Sequence, residues 1–324
     1  MVYNWETILL NAGVSLHAID VGCSSGRPYQ WERLGSALHY VGIDPLKNEV
    51  ARLGNLNEPN SKYISGLLQI DGGSGSADAA TMQFFKRTSA WEEMQSGYDQ
   101  VAATFNSGLE VIVDETKVSV EDLMAVLPFK RLDLLKIDID GDDYLAMNQF
   151  FKTGLGAELL LLDIESQFHG NPDDSGNTLW NIGKLANQNN LHLYDLEVNR
   201  YSRSALPSKF IYEFPAQTQN GQALWGDALF IKDSIDENLS VTDLVKLVAL
   251  FEVYGLFDCA VETIRNNEAA LRKLIPIDHI SKSLISSSIK RESRKNINSK
   301  MSTYKPIVKK TLRRLGLRMP RKQT

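Results

Sequence analysis

A chain of 324 residues and 36.3 kDa has room for one elaborated α/β domain, or for one domain plus a helical appendage. Its 43% hydrophobic and 23% charged residues exclude global disorder and collagen-like or low-complexity architectures. The net charge of −5 conceals an asymmetry: residues 281–324 carry 14 Lys+Arg and a single acid, Glu292, whereas residues 1–280 hold 21 basic and 39 acidic groups. The acidic globule is poorly suited to wrapping a polyanion, while the basic tail is well suited to it.

No uninterrupted apolar stretch approaches the ~20 residues a membrane-spanning helix needs. The N-terminus lacks a basic segment followed by an apolar run, so no secretory signal is expected. Two cysteines, Cys23 and Cys259, make neither a disulfide framework nor a four-cysteine metal site, and a reducing, cytoplasmic setting is the expectation. There is no internal repeat.

In chain order, apolar runs predict strands at Leu16–Gly22, Tyr40–Asp44, Lys62–Leu68, Leu132–Asp138, Glu158–Glu165, Leu191–Glu197 and Ala228–Asp233. Helical spacing predicts helices over Arg27–Leu38, Gly141–Thr153 and Asn177–Asn189, the last with Asn177 as its cap. Continuous apolar runs such as Leu159-Leu-Leu-Leu162 belong to strands covered on both faces. The alternation predicts an α/β, doubly wound, mostly parallel sheet. Ile70–Asn106, glycine- and serine-rich at its start, reads as a lid or insertion. The main domain thus spans 1–235, and residues 236–280 form C-terminal helices, predicted at Ser240–Tyr254 and Leu256–Leu274. Residues 281–324 form a basic tail, in which Pro306–Met319 has the pattern of a basic amphipathic helix.

The chemistry concentrates at strand ends. The first strand ends in Asp20 and turns through Gly22, Cys23, Ser24 and Gly26 into a predicted helix. Glycine permits close backbone approach, and a helix N-terminus offers free N–H groups. The second strand ends in Asp44, placed to accept hydrogen bonds from two ribose hydroxyls. A dinucleotide site wants G-x-G-x-x-G, but here the pattern is Asp-x-Gly-x-x-x-Gly with Ser24 at the middle position. An acid two residues before the glycine suits a ligand with a cationic amino group, which favours S-adenosylmethionine over NAD.

Two further groups follow. After the fourth strand, Lys136 and Asp138 precede Asp140, Asp142 and Asp143; the last two also suit a helix start, where they offset its dipole. After the fifth strand come Asp163, Glu165 and His169. Asp138 and Asp140 fall at the edge where ligands of open α/β sheets bind, and Glu165 and His169 are expected to face the same cleft.

Asp20-Val-Gly22 with Gly26, Gly42-Ile-Asp-Pro45, Leu134-Leu-Lys-Ile-Asp-Ile-Asp-Gly141 and Leu162-Asp-Ile-Glu165 resemble the FkbM-type methyltransferases over roughly residues 16–235, with Thr116–Leu123 similar to the family's lead-in to the fourth strand. The resemblance implies a class I, Rossmann-like seven-stranded sheet with a reversed last strand. It also implies S-adenosyl-L-methionine as cofactor and O-methylation of a hydroxyl on a carbohydrate or small metabolite. Ser24 stands where the family usually has Asn, and Asp140-Gly-Asp-Asp143 where it often has Glu-Gly-x-Glu.

Methyl transfer to oxygen needs an acceptor held in line and a base within hydrogen-bond reach. The candidates are His169, Asp138 and Glu165, with Asp20, Gly22, Cys23, Ser24, Gly26 and Asp44 holding the cofactor. No metal is favoured; were Mg²⁺ used, Asp138, Asp140 and Asp163 would be its ligands. The tail reads as solvated, as bound to an anionic membrane surface or as bound to nucleic acid. The membrane is preferred to nucleic acid because apolar residues interleave with the basic ones and, by analogy at the level of the resembled family, glycan-modifying enzymes often act near lipid-linked substrates. Tyr304 also stands alone as an aromatic for base stacking. RNA methylation is the runner-up activity, and a scaffold with a degenerate cofactor fold is the non-enzymatic alternative.

Overall fold

The computed structural model describes residues 3–71, 114, 116–127, 131–139, 141–154, 156, 158–169, 176–201, 218–235 and 239–292. Helix α1 (Trp5–Asn11) leads into β1 (Leu16–Val21), a 3-10 segment (Trp31–Ala37), β2 (Leu38–Asp44), α2 (Lys47–Gly54) and β3 (Ser61–Ser65). Then come β4 (Leu67–Leu68), β5 (Lys117–Val118), α3 (Val120–Val126), β6 (Leu134–Ile137), α4 (Asp143–Lys152) and β7 (Leu161–Gln167). Helix α5 (Leu179–Gln188), β8 (Leu191–Tyr201) and β9 (Gln222–Lys232) complete the sheet. Helices α6 (Val241–Val253), α7 (Phe257–Asn266) and α8 (Glu268–Leu271) follow, and residues 277–292 are helical.

Seven strands form one sheet in the order β3-β2-β1-β6-β7-β9-β8. Every neighbouring pair is parallel except those of β9, which runs antiparallel to β7 and β8. This is the doubly wound Rossmann-like sheet with one reversed strand that the sequence implied. The order reverses between β1 and β6, so their C-terminal ends flank the switch-point crevice of an open α/β sheet.

Alternation along each strand divides the core. Ile19, Val21, Ile43, Ile137, Ile164 and Phe230 pack with Met147, Phe150 and Ile182 on one face. Leu16, Ala18, Leu134, Leu161 and Ile231 pack with α1 and α6 on the other. Helix α6 is buried from Asp243 to Val253, as expected of a helix apolar on all sides. A capping box at Ser240 and Asp243 starts it. Near its start Lys246 donates at 2.8 and 2.9 Å to the fully buried Asp133, which also accepts from the His17 backbone at 3.0 Å. At its far end Glu252 accepts from Tyr3, from Trp5 Nε1 at 2.8 Å and from Arg33 at 2.7 Å.

Several elements differ from the sequence pattern. The stretch Arg27–Leu38 forms 3-10 turns kinked at Gly35 rather than an α-helix. Glu6 explains this, because it takes the backbone N–H and hydroxyl of Ser36 at 2.8 and 2.6 Å. Lys62–Leu68 is two strands, since Gly66 turns the chain and Leu67–Leu68 pairs with Lys117–Val118 in a separate small sheet. Helix α5 is capped by Thr178, not Asn177, whose side chain is committed to α4. The 256–274 helix breaks at Asn267. Helices α1 and α2 lacked a distinct sequence signal.

The segment 281–324 begins inside the helix of residues 277–292, and Leu284 belongs to the α6 core; residues 293–324 lie outside the described residues. So does the lid at Ile70–Asn106, apart from its first two positions. Among the described residues no helix is long and apolar enough to cross a membrane.

Breaking the Lys246–Asp133 pair leaves the buried carboxylate with only the partly exposed Arg131, 3.2 Å away, as a cation. Lys246→Met is expected to cost about 3 kcal/mol in denaturant titrations, the low end for a broken buried pair. Adding Asp133→Asn should recover a large part of that loss.

Candidate functional site

The β1 and β6 ends meet backbone to backbone, with Asp138 N–H donating to Val21 O at 2.9 Å. Directly above, Gly22 has φ +90°, and a Cβ there would lie 1.9 Å from the Asp138 carbonyl oxygen. Gly26, at φ +83°, closes the turn by donating to Cys23 O at 2.8 Å. Both glycines are therefore required by the turn itself. The side chain of Cys23 is buried, in contact with Gly42, and its thiol is pushed up by burial and by the nearby Asp20 and Asp44 carboxylates. Only its backbone is left for the turn.

Asp20 is 1% exposed. Its Oδ2 accepts from the Tyr40 hydroxyl at 2.9 Å, while Oδ1 has no hydrogen-bond partner and lies 3.8 Å from Lys136 Nζ. Burial pushes this carboxyl up to about 6, against the opposing pull of Lys136 and Tyr40. Asp44, at the tip of β2, accepts from the Leu46 N–H at 2.8 Å. It too is raised by burial, with the Leu46 and Ser24 backbone donors acting in the other direction. The turn thus carries two buried acids, one of them with an unsatisfied oxygen.

The sheet register aligns the second group. Asp20 pairs with Lys136, and Lys136 with Asp163, so an ammonium stands between two carboxylates on neighbouring strands. Lys136 Nζ also donates to Asp138 Oδ2 at 3.0 Å. Burial alone would lower the lysine pKa, but Asp20 and Asp138 more than reverse this and hold it raised and charged. The ammonium already neutralises part of the charge of these acids. Among the described residues no cluster suits a metal, and Asp140, the third suggested ligand, lies outside them.

Two residues further along β7, Glu165 faces Asp227 of β9, which faces Glu197 of β8. Burial, then Asp163 and Asp138, push the Asp227 carboxyl up to about 7. Sequence reading missed Asp227, because the reversed strand that aligns it with Glu165 carries no local signature of its partners. His169, just past β7, makes a 2.9 Å contact from Nε2 to the Ala223 carbonyl of β9.

Asp143 has a different task. It accepts from the Ile139 and Gly141 N–H groups, each at 2.9 Å, and from Asn177 Nδ2 at 2.8 Å. It fixes the β6–α4 turn and is pushed up to about 7 by burial, against those backbone donors.

No protein-family model matches the sequence, and a search of curated proteins finds no match. Among solved structures, a TehB-like SAM-dependent methyltransferase from Corynebacterium glutamicum aligns over 72% of this chain and 89% of its own, at 12% identity and a TM-score of 0.26. TrmK from M. capricolum, in complex with S-adenosyl-homocysteine, aligns over 89% and 98% at 9% identity and a TM-score of 0.30. A SAM-dependent methyltransferase from Clostridium acetobutylicum aligns over 71% and 91% at 10% identity and 0.28. Likeness this low carries no functional argument. The fold stands on the strand order itself.

Asp227 gives a test of the acid row. Its folded value of about 7 lies above the ordinary 3.8, so protonation favours the fold. That contribution is complete below pH about 4 and is lost as pH rises to about 7. Asp227→Asn should therefore melt above wild type at pH 8, with the advantage shrinking steadily toward pH 4, and carboxyl NMR should place the native midpoint near 7.

Proposed function

We propose that the chain is an S-adenosylmethionine-dependent O-methyltransferase of the FkbM type, acting on a hydroxyl of a carbohydrate or small metabolite. The observation that carries this reading is the pair of buried acids at the tips of β1 and β2, beside the switch point, with Asp20 Oδ1 accepting no hydrogen bond and only 3.8 Å from the Lys136 ammonium. An orphaned buried carboxylate oxygen is costly unless a donor completes it. The ammonium group of S-adenosylmethionine fits Asp20, and its ribose diol fits Asp44. Gly22, Cys23, Ser24 and Gly26 would border the ligand through backbone atoms. When bound, S-adenosylmethionine supplies an electrophilic methyl group on a sulfonium sulfur.

The protein's own part is to hold the acceptor and take its proton. Asp138, Glu165 and His169 remain the candidate bases, and the register adds Asp227, beside Glu165. Carboxylates accept hydrogen bonds from hydroxyl or ammonium groups and repel phosphate. A row containing Asp138, Asp163, Glu165, Asp227 and Glu197 around one lysine therefore favours a hydroxylated, non-phosphorylated acceptor over RNA. Attachment of the basic tail to an anionic membrane surface belongs to the same proposal, since each basic residue near such a surface contributes about 1 kcal/mol.

Calorimetry tests the cofactor. Saturable binding of S-adenosylmethionine but not NAD is expected, abolished by Asp44→Ala. Affinity should fall as pH drops through about 6, where Asp20 protonates, and Asp20→Asn should be weak at every pH. Binding of neither ligand by the folded wild type would leave the scaffold alternative standing. For the tail, sedimentation with anionic vesicles should retain the full chain and lose a chain ending at residue 292; equal retention refutes the attachment.

A further inference from the structure

The C-terminal helices enter the site. Tyr254, the residue that ends α6, donates its hydroxyl to Asp163 Oδ2 at 3.0 Å, and the same hydroxyl accepts from Trp31 Nε1 at 2.9 Å. The direction of this chain is fixed. An indole N–H can only donate, so the phenol oxygen receives it and the phenol proton must go to the carboxylate. Packing around Tyr254, together with Asp163, holds its hydroxyl well above the ordinary value, which keeps that proton in place.

Asp163 stands in register with Lys136 on the face and at the level of Asp20, and it is the more exposed of the two carboxylates. We propose, building on the methyl-transfer reading, that Tyr254 is a positioning residue of the active site: braced by Trp31, it holds the Asp163 carboxylate beside Lys136, so that Asp163 presents a fixed acceptor for the substrate's donor groups. The same device recurs on β1, where Tyr40 holds Asp20. Two phenols and one ammonium thus orient the acids of the crevice, and one of those phenols comes from beyond the sheet, 91 residues after the carboxylate it holds.

The groups acting on Asp163 are Lys136 from β6, Asp138 from the loop after it, Glu197 from β8, Asp227 from β9, Asp20 from β1 and Tyr254 from α6. Burial raises Asp163, and Lys136 and the Tyr254 hydroxyl pull it back. Deleting that hydroxyl must therefore raise Asp163 further.

The experiment is a carboxyl NMR titration of the full chain with ¹³C-labelled aspartate, Asp163 being assigned by its absence in Asp163→Asn. In Tyr254→Phe the Asp163 midpoint is expected to move upward, while the affinity for S-adenosylhomocysteine changes by less than about twofold. A folded Tyr254→Phe protein whose Asp163 midpoint matches wild type overturns the proposal. If that variant does not fold, Trp31→Phe reads the same coupling, and an upward shift is again the supporting result and no shift the refuting one. Calorimetry on the wild type separates the two claims. Failure to bind S-adenosylmethionine removes the methyl-transfer reading, whereas the tyrosine's hold on Asp163 is decided by the NMR midpoint.

Discussion

One ammonium, Lys136, holds together the acids at the C-terminal ends of the central strands. Three carboxylates on neighbouring strands and loops, Asp20, Asp138 and Asp163, share its charge. Without it the strand ends would collect mutually repelling acids in a region of low dielectric. With it they remain close, and the phenols of Tyr40 and Tyr254 add directed hydrogen bonds that a bare charge cannot supply. The Asp20 oxygen that accepts no hydrogen bond and the elevated Asp227 mark where that compensation is least complete.

The helices after the sheet complete this arrangement. The connection from β1 to β2 is too short and too bent at Gly35 to cover its face of the sheet with a long helix. Helix α6 lies across that face instead, tied to Asp133 near its start and to Tyr3, Trp5 and Arg33 through Glu252 near its end. Its apolar body buries the sheet, and its last residues deliver Tyr254 to the strand ends. A segment that reads in sequence as an appendage is therefore part of the core and reaches the edge of the crevice.

How much was legible can be argued residue by residue. The β1 turn was readable because apolar strand, acid and spaced glycines are local features, and Asp20, Gly22 and Asp44 lie at the adjoining ends of the paired strands β1 and β2. Asp143 was readable as a helix-start acid, and it secures that turn. Cys23 was placed at the ligand by its position, yet its thiol turns inward because Gly42 leaves room for it. The 3-10 kink was not readable, since it depends on Glu6, some thirty residues earlier in the chain.

The resemblance accounts for the reversed strand, and local pattern in the chain accounts for most of the strands, their doubly wound class and the acids at the first strand tips. These follow from periodicity and turn chemistry, which act over a few residues. Which acids share Lys136, that Asp227 faces Glu165 and that Tyr254 holds Asp163 emerge from the packing of distant segments. Strand order and helix docking set those pairings, and both arise from burial of apolar faces between segments far apart in the chain, which no local pattern records.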